Sequence, residues 1–298
     1  MSEEIQQAAA ALRAGRVVAF PTETVYGLGA DARNPLAVRQ IFALKGRPAN
    51  HPLIVHLHDA AQAEEWGVMS PLARDLARTF WPGPLTLIVQ RQPGVPDEVT
   101  GGQDTVGLRV PAHPLATALL AAFGGGLAAP SANRFGRISP TTAQHIRDEF
   151  GDAVMVLDGG PCTVGVESTI VDLSGEVPAL LRPGGLPVEA IEPLTGPLRR
   201  TSSVRAPGTL ASHYAPRAAL LIHADPDAAA ARLEAAGQRV AILRAGDDAD
   251  YARRLYAELR RLDALGVDVL VAEPARGGGG LALAINDRLA RAAAPRQD

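Results

Sequence analysis

Cysteine is nearly absent from this sequence of 298 residues, in which Cys162 stands alone. A single cysteine cannot form a disulfide within the chain, and it excludes a zinc site built from several thiolates. No apolar run approaches the roughly 18 residues that a membrane-spanning helix needs. Residues 1–16 contain Glu3 and Glu4 and lack the basic, apolar and cleavage regions of a signal peptide. We therefore expect a cytoplasmic protein with no membrane span.

The chain also lacks a large excess of charge of either sign, because 29 basic residues face 32 acidic ones for a net charge of −3. A protein that grips a nucleic-acid backbone usually carries a strong positive field, so this balance argues against a stand-alone RNA-binding module. Hydrophobic residues make up 47% and charged residues 20%, which excludes a mostly disordered chain. The length allows one large or two modest domains.

Lysine is the scarcest of the basic residues. Lys45 is the only lysine among the 29 basic side chains, and the abundance of Ala, Arg, Gly and Pro suggests a drift toward GC-rich codons. Lys45 is then either a chance survivor or a position where a compact ammonium is needed and a planar guanidinium does not serve. Its neighbours, described below, favour the second interpretation.

Short apolar runs alternate with helical patterns over the first 190 or so residues. Strands are predicted at residues 16–20, 53–57, 85–89, 106–110, 126–129, 153–157, 168–173 and 179–181. Helices are predicted at residues 35–44, 71–80, 113–123 and 141–150. Because many of these strands are joined by loops rather than by crossover helices, we expect an α/β domain with a mixed sheet rather than a parallel one.

The apolar pattern then stops and resumes in a different form. Residues 197–217 have no apolar period and are predicted to be a linker or lid between a domain at 1–196 and a second at 218–298. In the second domain, strands at 219–222, 240–243 and 267–271 alternate with helices at 226–236, 251–265 and 281–293. This alternation predicts a small parallel, Rossmann-like α/β sheet. The four glycines at 277–280 match no nucleotide fingerprint, so a flexible loop is favoured over a phosphate loop.

Polar side chains follow the first predicted strand. Thr22, Glu23 and Thr24 are crowded at the strand end, and Gly27 and Gly29 let backbone approach a ligand closely. A capped turn is the alternative interpretation.

A compact cationic loop follows the helix at 35–44. Lys45 and Arg47 are held outside the helix by Gly46 and Pro48, and an ammonium beside a guanidinium suits a polyphosphate. The alternative is a helix C-terminus at which cations favour the dipole. His56, at the end of an apolar strand, is by itself more typical of a core histidine than of a ligand contact.

Further polar groups interrupt or end apolar strands. Arg109 lies in an apolar strand, so its guanidinium should meet a carboxylate, either from the protein as an internal salt bridge or from a ligand. Small hydroxyl and amide residues after the strand at 126–129 suit the floor of a hydrogen-bonding pocket. Ser131 has no nucleophile-elbow motif around it, which argues against a hydrolase. Ser168 and Arg182 add another hydroxyl and another cation at strand ends.

Seven motifs follow one another between about residues 5 and 190: Pro-Thr-Glu-Thr-Val-Tyr-Gly-Leu-Gly, Lys-Gly-Arg-Pro, Pro-Leu-Ile-Val-His, Trp-Pro-Gly-Pro-Leu-Thr, Arg-Val-Pro, Pro-Ser-Ala-Asn and Glu-Ser-Thr-Ile-Val-Asp. In this order and wording they resemble the YrdC-like threonylcarbamoyl-AMP synthase family. His213-Tyr214-Ala215-Pro216 and the α/β segment after it resemble the two-domain, Sua-type branch of that family.

The resemblance implies a concave, twisted mixed sheet with a positively lined cavity for ATP and threonine. Lys45 and Arg47 would hold the ATP phosphates as the catalytic pair. Threonine would be surrounded by Thr24, His56, Arg109, Ser131 and Ser168, with Arg109 pairing its carboxylate. The nucleotide would be contacted by His51, Thr105, Asn133, Ser139, Thr141 and Arg182, and by Tyr214 as a lid across the opening.

The implied reaction joins L-threonine, bicarbonate and ATP into threonylcarbamoyl-AMP and pyrophosphate, a precursor of the threonylcarbamoyl-adenosine next to the tRNA anticodon. Adenylyl transfer needs alignment and charge neutralisation, which cations and Mg²⁺ supply without a covalent intermediate. Mg²⁺ would accompany ATP, with no protein metal ligand assigned. The implied partners are a downstream tRNA threonylcarbamoyl transferase and, by weak contact, tRNA.

Two departures from the family pattern bear on these roles. His51 stands where the family usually has Asn, and residues 209–212 replace a stretch that usually holds an aromatic and a basic residue. Two other functions stay open at this point. A carbamoyl-AMP-forming carbamoyltransferase module is disfavoured because the chain lacks that class's additional domains. A non-catalytic double-stranded RNA or tRNA binding module is disfavoured by the net charge.

Overall fold

The computed structural model describes residues 2–295. In this range a nine-stranded sheet forms the larger layer, with the order β7-β1-β2-β6-β3-β5-β4-β8-β9. Its strands are β1 (Val18–Phe20), β2 (Gly27–Asp31), β3 (Ile54–His56), β4 (Leu85–Gln90), β5 (Thr105–Arg109), β6 (Leu127–Ala128), β7 (Met155–Val156), β8 (Thr169–Asp172) and β9 (Ala179–Arg182). The pairs β1–β7, β3–β5 and β4–β8 are parallel, and the other neighbours run antiparallel. The predicted mixed sheet is therefore confirmed.

Helices accompany this sheet, and most of them begin at a residue whose side chain caps the helix. They are α1 (Glu3–Arg13), α2 (Pro35–Lys45), α3 (Pro71–Phe80), α4 (Asp97–Thr100), α5 (Pro114–Phe123), α6 (Ala143–Phe150) and α7 (Val188–Thr195). Asn34 and Ser70 accept hydrogen bonds from backbone N–H groups of α2 and α3, and each is followed by proline at the first helical position. Proline there needs no hydrogen bond and its fixed φ already suits a helix.

A second, smaller sheet follows the linker. Its strands β10 (Ala219–Ile222), β11 (Val240–Leu243) and β12 (Val269–Ala272) are parallel, with β12 in the centre. They alternate with α8 (Pro226–Ala235), α9 (Asp248–Asp263) and α10 (Gly280–Ala293). The predicted small parallel sheet is confirmed. Of the helices in residues 2–295, none has both the length and the apolarity to cross a membrane.

The two sheets share a hydrophobic core. Val25, Ile138, Val166 and Tyr214 are buried in the same cluster as the inner faces of α9 and α10. Gly165 marks the closest approach, since a Cβ at this position would lie 2.4 Å from the carbonyl oxygen of Ala252 in α9. Only glycine allows the backbones to come this near.

Strand β2 and helix α7 are among the elements absent from the predicted set. Strand β2 carries two glycines and has low intrinsic strand propensity, yet it lies inside the sheet between β1 and β6. Glycine suits position 29, because a Cβ there would lie 2.7 Å from the Phe20 ring. Helix α7 contains Pro193 and has no side-chain cap, so its sequence gives little helical signal. The backbone N–H of Gly280 in α10 donates to Glu189 of α7 at 3.1 Å, so a carboxylate of the protein occupies the helix end that follows the four glycines.

Candidate active site

A cavity of about 50 Å³ lies between the strand ends of the larger sheet and the linker. It is lined by Thr22, Thr24, Val25, Tyr26, Gly27, Arg47, Ile54, His56, Arg109, Ala129, Pro130, Ser131, Glu167, Ser168, Arg182, Pro207, Gly208, His213 and Tyr214. The lining thus combines three guanidinium groups, several hydroxyls, two tyrosine and two histidine rings, and one carboxylate, that of Glu167. Such a set of cations and hydroxyls suits an anionic, hydroxyl-bearing ligand.

Arg109, at the end of β5, meets a protein carboxylate. Its Nη2 lies 2.6 Å from Oε1 of Glu23, and both side chains are buried. Its Nη1 donates to Thr24 Oγ1 at 2.9 Å, and its Nε donates to the carbonyl of Gly83. Although close, Nη2 and Oε1 are not aligned as a hydrogen bond, and both lack another hydrogen-bond partner. Arg109 therefore has an internal counter-ion while it lines the cavity.

His56, at the end of β3, is buried against Phe20, with ring centroids 5.9 Å apart. Burial, reinforced by the charge of Arg109, lowers the pKa of His56 to about 3. The imidazole is therefore neutral at physiological pH, and one nitrogen, Nδ1, lies 3.3 Å from the carbonyl oxygen of Ile54. A neutral ring beside a guanidinium can accept or donate a hydrogen bond to a substrate without adding charge.

Ser168 is held by two side chains. Its hydroxyl lies 2.8 Å from the hydroxyl of Thr86 on β4 and accepts from Nη2 of Arg182 at 3.1 Å. The other arm of Arg182 donates to the carbonyl of Pro207 in the linker at 2.9 Å. Arg182 thus ties the linker to the strand end that carries Ser168.

The end of α2 determines the positions of Lys45 and Arg47. Gly46 adopts the left-handed conformation with φ 61°, which lets the chain turn and places both cations inside the protein. Lys45 Nζ donates to the carbonyl of Ser131 at 2.6 Å and to that of Asn133. Burial, together with the charge of Arg47, lowers the pKa of Lys45 well below its usual value. Lys45 lies behind the cavity floor, whereas Arg47 reaches the cavity and donates to the carbonyl of Pro52.

The linker forms the roof of the cavity. His213 and Tyr214 are stacked with centroids 4.2 Å apart, and Tyr214 holds a left-handed φ of 63° that a non-glycine residue seldom adopts. Gly208 is required beneath the ring, because it has φ +74° and a Cβ there would lie 2.3 Å from the Tyr214 hydroxyl. The chain therefore crosses the cavity in close contact with its own aromatic side chain.

Several buried polar atoms around the cavity have no hydrogen-bond partner within residues 2–295. They include Arg47 Nε, Asn133 Oδ1, His213 Nδ1 and the Tyr214 hydroxyl. Buried polar groups are nearly always satisfied, so a concentration of unsatisfied ones indicates a place where a polar ligand or water completes them.

The structure brings together many, but not all, of the residues assigned from sequence. Those that line the cavity are Thr24, Arg47, His56, Arg109, Ser131, Ser168, Arg182 and Tyr214. Those that do not are Lys45, His51, Thr105, Asn133, Ser139 and Thr141. His51 lines a neighbouring groove with Phe135 and residues 210–212 of the linker. Thr105 begins the strand that Arg109 ends, which places it about 13 Å away along β5.

Three charged residues that line the cavity or contact its lining had no assigned role. Glu23 and Glu167 were visible inside motifs but were not recognised as the counter-ions of buried arginines. Arg288 had a detectable signal, because it falls on the apolar stripe of α10 that includes Ile285 and Leu289. A charge on such a stripe needs a buried partner, and here the partner is Glu167.

Among the described residues, no group of three or more His, Cys, Asp or Glu side chains is arranged to hold a metal ion. The two carboxylates nearest the cavity, Glu23 and Glu167, both face arginines. A Mg²⁺ ion in such a site would be held mainly by the phosphates of a bound nucleotide and by water.

Comparisons with known proteins cover nearly the whole chain. A family described as "Telomere recombination" matches residues 10–184, and one described as "Threonylcarbamoyl-AMP synthase, C-terminal domain" matches residues 186–294. The chain is 42% identical to the threonylcarbamoyl-AMP synthase of Pyrococcus abyssi, covering 98% of this chain and 95% of that protein. The corresponding figures for the Bacillus subtilis enzyme are 41%, 98% and 94%. A crystal structure of P. abyssi Sua5 complexed with L-threonine superposes with a TM-score of 0.93 at 40% identity, over 98% of this chain and 95% of that one.

Proposed function

This chain belongs to the threonylcarbamoyl-AMP synthase family, and we propose that the cavity beneath the linker is the site of its reaction. The enzyme condenses L-threonine, bicarbonate and ATP into threonylcarbamoyl-AMP and pyrophosphate, the activated precursor of a modified tRNA nucleoside. The observation that carries the assignment of the site is the convergence of Arg47, Arg109 and Arg182 with serine and threonine hydroxyls on one enclosed cavity.

Threonine occupies the end of the cavity at β3 and β5 in this proposal. Its carboxylate meets the guanidinium of Arg109, which Glu23 and Thr24 hold in place. The neutral His56 and the hydroxyls of Ser131 and Ser168 lie beside the amine and the side-chain hydroxyl of threonine. Support comes from their common cavity and from the relative that binds L-threonine.

ATP lies between the floor and the linker. Arg47 and Arg182 neutralise the phosphates, and Lys45 joins them when its ammonium exchanges the carbonyls of Ser131 and Asn133 for phosphate oxygens. Pockets for ligands of this size are typically about 300–1,000 Å³, whereas this cavity is about 50 Å³. The roof at residues 206–214 must therefore move to admit the nucleotide, with Tyr214 as the lid element.

The chemistry then needs alignment rather than a nucleophile. The threonine amine and bicarbonate condense to a carbamate with loss of one water. A carbamate oxygen then attacks the α-phosphorus of ATP, and the bond to pyrophosphate breaks as pyrophosphate leaves. The guanidinium groups neutralise charge that develops on the phosphoryl oxygens, and the closed linker excludes water that would hydrolyse the carbamate and the mixed anhydride. His51, Thr105, Ser139 and Thr141 lie outside the cavity and are assigned to the nucleotide only in the open state.

The finer attributes follow from this activity. Mg²⁺ enters with ATP as part of the substrate. The division into 1–196, 197–217 and 218–298 separates a catalytic domain, a lid and a supporting domain. The product passes to a tRNA threonylcarbamoyl transferase in the cytoplasm, with weak contact to tRNA at most, since the net charge is −3.

The test is pyrophosphate release by the purified chain with ATP, Mg²⁺ and bicarbonate, with and without L-threonine. We expect release that depends on threonine, and formation of threonylcarbamoyl-AMP in the same samples. Serine and valine are the control amino acids, because each lacks one of the two groups on the threonine Cβ. Folded protein that releases no pyrophosphate with threonine contradicts the proposal.

A further inference from the structure

Two side chains of the smaller, C-terminal domain reach the active-site cavity through Glu167. The hydroxyl of Tyr256 on α9 donates to the Glu167 carboxylate, 2.9 Å from Oε2 and 3.1 Å from Oε1. Nε of Arg288 on α10 donates to Oε2 at 2.8 Å. Both side chains are fully buried, so the contact is part of the interior and not a surface encounter.

Glu167 connects these two side chains to the cavity. It lines the cavity, directly precedes Ser168 in the chain, and accepts a hydrogen bond from the Ser139 hydroxyl at 2.7 Å. Burial raises the pKa of Glu167, but the charges of Arg288 and Arg182 outweigh burial and hold it at about 2. The carboxylate is therefore a fixed anion whose position is set from both domains.

The same two side chains also support the linker. The Tyr214 ring lies between His213, with centroids 4.2 Å apart, and Tyr256, with centroids 5.5 Å apart. The guanidinium of Arg288 lies over the Tyr214 ring at 5.4 Å from its centroid. The linker is further tied to α10 by the N–H of His213, which donates to the carbonyl of Arg291.

We propose that Tyr256 and Arg288 are positioning residues of the synthase: they fix Glu167 and seat Tyr214, so that the linker closes over substrates in one orientation. In this proposal the C-terminal domain is the surface against which the linker closes. This rests on the proposed assignment of the cavity as the active site. It goes further by assigning to two named side chains of the second domain an effect on the substrates that acts through Glu167 and Tyr214.

The primary test is Tyr256→Phe in the full chain. This change removes the hydroxyl from Glu167 while the ring that packs on Tyr214 stays. The matched control is Tyr251→Phe on the same helix, which also removes a buried tyrosine hydroxyl, one that donates to the carbonyl of Glu273 at 2.7 Å and does not contact Glu167. Both variants are compared with the wild type by Tm, by kcat and KM for threonine and for ATP, and by the rate of trypsin cleavage after Arg205 in the linker.

We expect Tyr256→Phe to lower kcat/KM about tenfold and to speed cleavage after Arg205 several-fold, while Tyr251→Phe keeps wild-type kinetics and cleavage at a similar Tm loss. Equal kinetics and equal cleavage in the two variants would overturn the proposal, because the hydroxyl would then be structural only. Cleavage is read without substrates, so it reports on the linker even if the wild type releases no pyrophosphate; that result would instead contradict the active-site assignment.

Arg288 is tested by charge. Arg288→Lys keeps a cation near Glu167 and Tyr214, whereas Arg288→Met removes it at similar length. We expect the Lys variant to recover at least part of the kcat/KM and cleavage resistance that the Met variant loses. Equal values in folded Lys and Met variants would contradict a role for the Arg288 charge.

Discussion

Lys45 lies with its Nζ 2.6 Å from the carbonyl oxygen of Ser131, a residue of the cavity floor. The only lysine of the chain is thus held in place by backbone carbonyls, in a niche that also includes the carbonyl of Asn133. An ammonium is a compact charge that can exchange such carbonyls for phosphate oxygens, and we expect the larger planar guanidinium of an introduced arginine not to fit the same niche.

Replacing Lys45 should therefore remove its share of phosphate neutralisation whichever residue is introduced, while Arg47 and Arg182 remain. We expect Lys45→Ala and Lys45→Arg each to lower kcat/KM for ATP by at least about 100-fold, because a charge-assisted contact to the nucleotide is lost. Arg39→Ala is the control, since this exposed cation on the same helix pairs with Glu98 far from the cavity. Near-normal activity of Lys45→Arg in the pyrophosphate assay would show that charge alone is sufficient.

Substitutions at Arg109 and Glu23 should affect stability and activity differently. Arg109→Gln leaves Glu23 buried without its counter-ion, which we expect to lower the free energy of unfolding by about 3–5 kcal/mol. Adding Glu23→Gln should restore most of that stability in urea denaturation, since no uncompensated charge remains. Threonine-dependent activity should stay lost in both variants. A double variant that regains threonine-dependent activity would argue against carboxylate recognition by Arg109.

Acid should destabilise the protein through buried histidines. The pKa of His56 falls from 6.5 to about 3 on folding, and that of His213 also falls to about 3, each mainly through burial. The unfolded chain takes up these protons as the pH drops through 6.5, whereas the folded protein does so near 3, so stability is lost between these values. At pH 5 each histidine accounts for about 2 kcal/mol.

The measurement is urea denaturation at pH 7 and pH 5. His56→Gln should reduce the loss of stability between the two pH values by about 2 kcal/mol, and the double variant with His213→Gln by about twice that. The comparison uses the pH dependence of each variant, so any constant cost of the substitution cancels. If the pH dependence of stability is unchanged in His56→Gln, the buried His56 is not a source of the acid destabilisation.

Gly208 should be required for closure of the linker. In Gly208→Ala the new methyl group meets the Tyr214 hydroxyl and the Arg182 guanidinium, and we expect KM for ATP to rise about tenfold. Gly196→Ala is the matched control, because Gly196 also has a positive φ, of 70°, but a Cβ there meets nothing within 4 Å. Both variants carry backbone strain, so a shared loss of Tm with unequal KM values isolates the steric effect. Equal KM values in the two variants would contradict it.

Much of the fold could be predicted because its elements carry their own signals. Helices α2, α3 and α5 begin at a capping residue followed by proline, and the parallel C-terminal sheet has regular apolar strands between helices. Strand β2 escaped prediction because its glycines are selected by the Phe20 ring packed against them, a tertiary contact that no local pattern contains.

The candidate site was predictable to a similar depth. The need of Arg109 for a carboxylate follows from its place in an apolar strand, and Glu23 supplies one in the structure. The choice between a protein and a ligand carboxylate could not be made, because Glu23 precedes Arg109 by more than 80 residues. The contact of Tyr256 with Glu167 could not be predicted for the same reason, since Tyr256 lies on a helix of the C-terminal domain, 89 residues further along the chain.

The core that unites the two sheets also restricts how such enzymes exchange parts. Val25, Ile138, Val166 and Tyr214 are buried in one hydrophobic cluster with residues of α9 and α10, although they precede the second sheet in the chain. A C-terminal domain taken from a relative and fused after the linker would meet side chains shaped for a different partner. A functional exchange of C-terminal domains between two-domain members must therefore include these four upstream positions. The set of residues that has to be exchanged together does not coincide with the domain boundary in the sequence.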